Sequence, residues 1–324
     1  MENIIKNSKK IIFDTDIGED CDDAGALALI HKLCNNGEAE LLAVTHCYNS
    51  PYLAGCIDAI NTFYNREVPI GINYDAPILE VPQLIYADKL AINCPNKYPP
   101  ETYLAKNGPK DTLELLRTTL ANAEDGSVTI VVTGTLASMA RLVLSKPDEI
   151  SPLSGKELIA KKVNRTVFMG GRFFETWPMT LYESGDPTHH VMTWEYNVKR
   201  SGHKDAKAVF DNWPNELVLS SYEIGSYIVT MKGYGKRAQK GDPVALAYNI
   251  SIGDNGRCSW DHTAVLEAVR PGVYWNKREF GKISIDENMV THFIRCENGS
   301  HTYLLPKLDY ETIRKTIDDL INEV

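Results

Sequence analysis

Residues 10–29 read KIIFDTDIGEDCDDAGALAL, and they constrain the fold more tightly than any other stretch of the chain. The apolar run Ile11-Ile12-Phe13 meets six acidic residues within ten positions: Asp14, Asp16, Glu19, Asp20, Asp22 and Asp23. A helical apolar pattern follows. Like charges packed this closely repel, and burying them is costly unless something neutralises them. Helix capping accounts for one or two carboxylates at a helix start, not for six. A hard divalent cation held by carboxylate oxygens, Ca²⁺ or Mg²⁺, neutralises the rest. The segment therefore predicts a strand, a metal-binding turn and a helix. The site belongs at the C-terminal edge of the strand, where open α/β sheets place their ligands.

Apolar runs of strand length alternate with helical patterns along the chain. Strands are expected at 10–14, 40–46, 128–133, 164–169 and 216–220. Helices are expected at 22–36, 52–65, 111–123, 136–145, 204–211, 240–250, 258–268 and 309–322. This alternation predicts the α/β class, with an open, mostly parallel, Rossmann-like sheet and helices on both faces. Right-handed crossovers put the strand C-termini on one edge. Asp14, Asp16, Asn49, Thr133 and Met169 sit at or just past such ends and can share a pocket. Residues 272–306 carry short β-like runs and turn signals, and read as a small antiparallel addition near the C-terminus. Residues 74–109 contain six prolines and read as a long loop or partial lid. Residues 172–194 are likewise irregular. With no repeat, low-complexity tract or linker, one domain spanning 1–324 is expected.

Composition narrows the partners. A net charge of −9 argues against nucleic acid and anionic membranes. No stretch approaches the roughly 18 apolar residues of a membrane span. The polar, basic start MENIIKNSKK is not a secretory signal. Seven scattered cysteines without a Cys-x-x-Cys pair suggest free thiols in a reducing cytoplasm.

Three families could own the acidic cluster. An EF-hand loop needs Asp or Asn at its fifth position and Gly at its sixth. Counted from Asp14 these are Gly18 and Glu19, and a strand precedes the cluster where a helix is required. A Mg²⁺-dependent phosphohydrolase of the haloacid-dehalogenase type also opens on a strand and Asp-x-Asp. Its late Gly-Asp pair would be Gly253-Asp254, with the next acid, Asp261, too far on; this reading, with Asp14 as nucleophile, stays as the alternative. The third match is closer. DTDIGEDCDDAGALAL resembles the DTDPG-x-DD-A-x-AL signature of the nucleoside hydrolases, in the bacterial version with two extra residues before the Asp pair. LLAVTHCYNSPYLAGCIDAIN, VTIVVTGTLASMARLVL, VFMGG, TWEYN and SWDHTAVL resemble later segments of that family, in the same order.

The resemblance implies Ca²⁺-dependent hydrolysis of the N-glycosidic bond of ribosides, as in purine and pyrimidine salvage. It implies Asp16, Asp23, the backbone carbonyl of Thr133 and Asp261 as Ca²⁺ ligands. Asp16 would also be the general base. Asp22, Asn49, Glu195, Asn197 and the backbone at Met169 would bind the ribose hydroxyls, and Asp14 would support from behind. It further implies a homo-oligomer, a dimer or a tetramer. Glu195 and Asn197, two apart, share a face on an extended segment.

The pattern breaks on one side of the site. Trp260 stands where many relatives carry a proton-donating His. Indole has no labile proton to give, but it can stack on a base or cover an apolar pocket. His262 lies two positions on, and neighbouring helix positions point apart. Glu175, Asp186, His189 and His190 in the irregular segment are the other candidates for the leaving group. Leu136-Ala137-Ser138-Met139-Ala140 replaces Leu-Thr-Asn-x-Ala, and the Gly-Asn pair that contacts the sugar's 5′ end is missing. The calcium-and-diol half of the site is therefore expected to be kept and the base-facing half rebuilt. A leaving group that needs no protonation fits, and so does a binding protein that has lost catalysis.

Overall fold

The computed structural model describes residues 8–173 and 194–322. Glu175, Asp186, His189 and His190 lie outside the described residues.

The chain alternates strand and helix through its first two thirds. β1 (Lys9–Thr15), α1 (Cys21–Asn35), β2 (Ala39–His46), α2 (Leu53–Phe63) and β3 (Ile70–Ile72) come first. The Pro-rich stretch then holds α3 (Ala87–Asn93) and leads into β4 (Lys110–Asp111) and α4 (Thr112–Asn122). β5 (Val128–Val132), α5 (Ala137–Leu144), α6 (Gly155–Lys162), β6 (Val163–Met169), α7 (Tyr196–Asn212) and β7 (Glu216–Ser220) follow. A connecting stretch carries α8 (Tyr222–Gly225), β8 (Val229–Thr230), α9 (Pro243–Ile252), β9 (Arg257–Cys258) and α10 (Trp260–Val269). The chain continues through β10 (Trp275–Lys277), β11 (Gly281–Ile285), β12 (Thr291–Arg295) and β13 (His301–Pro306) to α11 (Tyr310–Asn322).

The large sheet runs β12-β11-β13-β7-β6-β5-β1-β2-β3-β4, with β10 also on β13. From β7 to β4 every pairing is parallel. The expected antiparallel addition is β10–β13, and it is continuous with the main sheet because β13 lies parallel to β7. β8 and β9 form a separate antiparallel pair.

β1 is central, between β5 and β2. Its Ile11, Ile12 and Phe13 are fully buried, as a strand covered by helices on both faces requires. The chain leaves β1 toward β2 on one side, while β5 pairs on the other. The order therefore reverses between β1 and β5. Such a switch point opens a crevice outside the strand ends.

The helices depart from the sequence reading in two instructive places, while β3, β4, β8, β9, α3 and α8 are short elements it did not anticipate. α6 is announced by Ser154-x-x-Glu157, a capping box in which each side chain meets the other's backbone N–H. α7 starts at Tyr196, eight residues ahead of the expected 204, because Gly202 (φ +72°) interrupts its periodicity. The Pro-rich stretch is more ordered than a loop. The Tyr86 hydroxyl accepts from Gly18 N (3.0 Å) and donates to Asp20 O (2.7 Å), so this stretch grips the acidic turn.

Buried histidines give the fold an acid-side weakness. His31 on α1 is fully buried, stacked on Tyr64 at 4.8 Å, with Nε2 donating to Asn61 Oδ1 (2.9 Å). Burial pushes its pKa down to about 3. In the unfolded chain the ring takes a proton below about pH 6.5. The unfolded state therefore binds more protons between these values, and stability falls as pH drops from 6.5 toward 3. His31→Gln is expected to flatten the loss of unfolding free energy over pH 6.5–4 by about 1.4 kcal/mol per pH unit. Urea unfolding at several pH values measures it. An unchanged slope would mean that His31 titrates alike in both states.

Candidate active site

Three helix starts meet at the C-terminal edge of the sheet. Asp20 caps α1, accepting from Cys21 N (2.7 Å), and Asp22 and Asp23 occupy the first turn. α10 carries Asp261 in its first turn. Glu195 caps α7, accepting from the backbone N–H groups of Asn197 (2.8 Å), Val198 (2.9 Å) and Gly171 (3.2 Å). The positive ends of three helices thus face one volume and favour carboxylates there.

That volume is a cavity of about 530 Å³, and the acids cluster on its floor. Asp22, Asp23 and Asp261, all buried, bring carboxylate oxygens within 4.8 Å of one another. Asp16 stands beside Asp23 and also lines the cavity. Burial holds Asp16, Asp22 and Asp261 well above the usual carboxylate range, and repulsion from the neighbouring carboxylates, Asp23 in every case, adds to it. For Asp23 the rise stops at about 6, because the hydroxyls of Thr15 (2.5 Å) and Thr133 (2.8 Å) both donate to Oδ1. A buried, all-oxygen, mutually repelling donor set fits a hard divalent cation.

The other expected residues are placed as follows. Thr133 N donates to Asp14 O (2.8 Å), which locks the ends of β5 and β1 together. Asn197 Nδ2 donates to the carbonyls of Thr133 (2.7 Å) and Met169 (3.0 Å). Thr133, Met169, Glu195 and Asn197 all line the cavity. Glu195 and Asn197 do not share an extended segment: Glu195 is the extended cap and Asn197 lies inside the helix. Burial raises Glu195 to about 7 against the pull of its three backbone donors. Asn49 is not among the lining residues. Its Nδ2 faces the carbonyls of Tyr74 (3.3 Å) and Ala76 (3.4 Å), and the Tyr103 hydroxyl donates to its Oδ1. These bonds tie the Pro-rich stretch down. Asp14 is fully buried outside the cavity, accepting from the Thr45 hydroxyl (2.6 Å). Burial pushes it up to about 7.

A family profile, inosine-uridine preferring nucleoside hydrolase, matches residues 11–289. The chain belongs to this family. No curated protein matches it closely enough to be counted a relative. Solved nucleoside hydrolases share the fold at low identity. The inosine-uridine preferring nucleoside hydrolase from Bacillus anthracis is 17% identical, with a TM-score of 0.65 over 98% of this chain and 100% of that one. An inosine-guanosine nucleoside hydrolase is 17% identical, with a TM-score of 0.67 over 98% and 99%. A type III effector protein, XopQ, solved with adenosine diphosphate ribose, is 13% identical, with a TM-score of 0.67 over 97% and 93%.

As a nucleoside hydrolase the protein is an enzyme acting on N-glycosidic bonds, and the phosphohydrolase reading falls away. That reading needed Asp14 as nucleophile, and Asp14 does not reach the cavity. Among the described residues no helix is long and apolar enough to cross a membrane. The cysteines described are all free.

The wall above the acids is where this nucleoside hydrolase shows residues that sequence reasoning missed. Arg200 Nη1 and Nη2 donate to Glu19 (2.7 and 3.2 Å), and its guanidinium lies 4.9 Å from the Tyr48 ring centroid. Arg257 Nε donates to Asp20 (2.9 and 3.1 Å), and its guanidinium lies 5.0 Å over the Trp260 ring. Glu19, Asp20, Arg200, Arg257, Tyr196 and Tyr222 all line the cavity. The two consecutive acids at the tip of the turn thus each hold an arginine from a distant element. Their acidity was visible in the sequence, but their partners are 181 and 237 residues away. Trp260 Nε1 donates to Tyr222 O (3.0 Å), so its one N–H is spent on the wall. His262 is fully buried, has no hydrogen-bond partner for either ring nitrogen among the described residues, and does not line the cavity.

Proposed function

We propose that the protein is a Ca²⁺-dependent hydrolase of the N-glycosidic bond in ribonucleosides or related N-ribosides, with Asp16 as general base. The observation that carries this reading is the buried triplet Asp22, Asp23 and Asp261 on the cavity floor, with Asp16 beside it. A calcium ion held by Asp16, Asp23, Asp261 and the Thr133 carbonyl would hold the attacking water and the ribose diol and make that water more acidic. Every other step falls to side chains. Asp16 takes the proton of the water that attacks C1′. Asp22 accepts from a ribose hydroxyl. Glu195, fixed by its backbone donors, presents its carboxylate to the cavity for a sugar hydroxyl. Asn197 fixes the carbonyls of Thr133 and Met169, so both stay aimed into the site. Trp260 and Tyr222, 5.5 Å apart, wall the side where the base leaves.

Hydrolysis in H₂¹⁸O tests the reaction type. Free base and ribose are expected in equal amounts, with one ¹⁸O on the anomeric carbon. A phosphorylated product, or base without ribose, would contradict it. A second reading, a riboside-binding protein without turnover, is supported by the engaged Trp260 N–H. Ligand-dependent thermal stabilisation with no product would favour it.

A further inference from the structure

Where a proton donor to the base would be expected, this chain has an indole whose N–H is already used, and directly over that indole lies a permanent cation. Arg257 reaches the cavity from β9, its guanidinium 5.0 Å from the Trp260 ring. Asp20 holds it there, and Asp20 is itself fixed as the cap of α1. Arginine keeps its charge at any working pH and cannot act as a general acid. It can stabilise negative charge that develops on a leaving group, and a cation already fixed in place needs no reorganisation to do so.

We propose that Arg257 is a catalytic residue that stabilises the departing base as an anion, so that the site prefers ribosides of acidic oxo-bases, such as the uracil and xanthine types, over those of bases that must be protonated to leave. The proposal rests on the N-riboside hydrolase reading above. In the step, the C1′–N bond breaks and its electron pair stays on the base, spread over the ring nitrogen and the neighbouring carbonyl oxygen. The base leaves as its anion beside the guanidinium. Water supplies OH to C1′ and its proton goes to Asp16. The anion takes its proton from solvent after release, so no oxidant, reductant or further reactant enters.

Asp20 takes the Nε and Nη2 donors of Arg257, which leaves Nη1 to meet a leaving group, and about a third of each side chain is exposed. A full phosphate would meet the whole acid floor, whereas a charge delocalised over a flat ring lies along the Trp260–Tyr222 wall and under the guanidinium. The flat faces of indole and guanidinium favour a planar aglycone.

The test compares leaving groups on the full chain with Ca²⁺ present: uridine, 5-fluorouridine, cytidine and p-nitrophenyl riboside. The expected kcat/KM order places 5-fluorouridine above uridine, because its base is the more acidic, and cytidine far below both. Arg257→Gln is expected to lower kcat for uridine by roughly 10²-fold, the usual scale for one preorganised electrostatic contact. It should change p-nitrophenyl riboside far less, since p-nitrophenolate leaves unaided. Arg257→Lys restores part of the uridine rate. Asp20→Asn keeps the charge of Arg257 but weakens the hold on it, so it is expected to lower the uridine rate by less than Arg257→Gln does. Equal losses on all four substrates in Arg257→Gln would overturn the proposal and make Arg257 a structural tie to α1. Cytidine faster than 5-fluorouridine would overturn it too, by showing protonation of the base. If no substrate is cleaved, p-nitrophenyl riboside included, the hydrolase reading itself has failed. Calcium titration of Arg257→Gln, unchanged from the parent, shows that the acid floor is intact.

Discussion

Replacing Asp16 by Asn is expected to lower kcat for ribose release by about 10³-fold, the range in which a lost general base falls. The amide is nearly isosteric and keeps an oxygen that can face a cation, but it cannot take a proton from water. The change should appear in kcat far more than in KM, because the sugar contacts assigned to Asp22, Glu195 and Asn197 remain. The fold should survive. Asp16 is buried among Asp23 and Glu19, whose charges disfavour its own. Removing one charge from such a group relieves repulsion, so the variant should melt no lower than the parent when calcium is absent. Asp14→Asn gives the contrast. Asp14 lies outside the cavity with the Thr45 hydroxyl as partner, so its loss should move stability and leave kcat within a few-fold. A tenth or more of the parent kcat in Asp16→Asn would remove Asp16 from the base role.

Removing the cation has the second large expected effect, and it should reach the fold as well as the rate. Asp22, Asp23 and Asp261 are each nearly inaccessible to solvent and crowd within 4.8 Å. Without a counter-ion the folded state carries this repulsion and the unfolded chain does not. Calcium at a hundredfold excess over its Kd is expected to add about 2.7 kcal/mol to the unfolding free energy. The melting temperature should rise by several degrees, and a chelator should reverse the rise. Asp261→Ala removes a ligand that arrives from α10, far in sequence from the first loop. It should abolish the calcium-dependent rise and ribose release together. A calcium-independent melting curve, with the parent still active in chelator, would contradict the metal assignment.

Much of this architecture was legible because strand and helix alternate with strong periodicity. The buried Ile11-Ile12-Phe13 run, the Asp20 cap and the acid pair Asp22-Asp23 are local signals, and the site floor follows from them once the strand order reverses beside β1. What could not be read is what depends on distance. Asp22 joins Asp23 and Asp261 in a carboxylate cluster within 4.8 Å because α1 packs against α10, and no spacing announces that contact. Asn49 follows a strand end as a ligand would, yet it turns toward Tyr74, Ala76 and Tyr103. Glu195 reads as part of an extended segment, and its backbone donors instead make it the cap of α7. Arg200 and Arg257 carry no local signature, since each is defined by an acid on another element.

The most direct test of the account is ribose release by the purified chain from inosine, uridine and p-nitrophenyl riboside, each with calcium, with chelator, and with chelator followed by excess calcium. The account predicts release with calcium, loss on chelation and recovery on re-addition, for at least one of the three. Release that ignores the chelator, or none from any of the three while calcium binding is shown by titration, would contradict it.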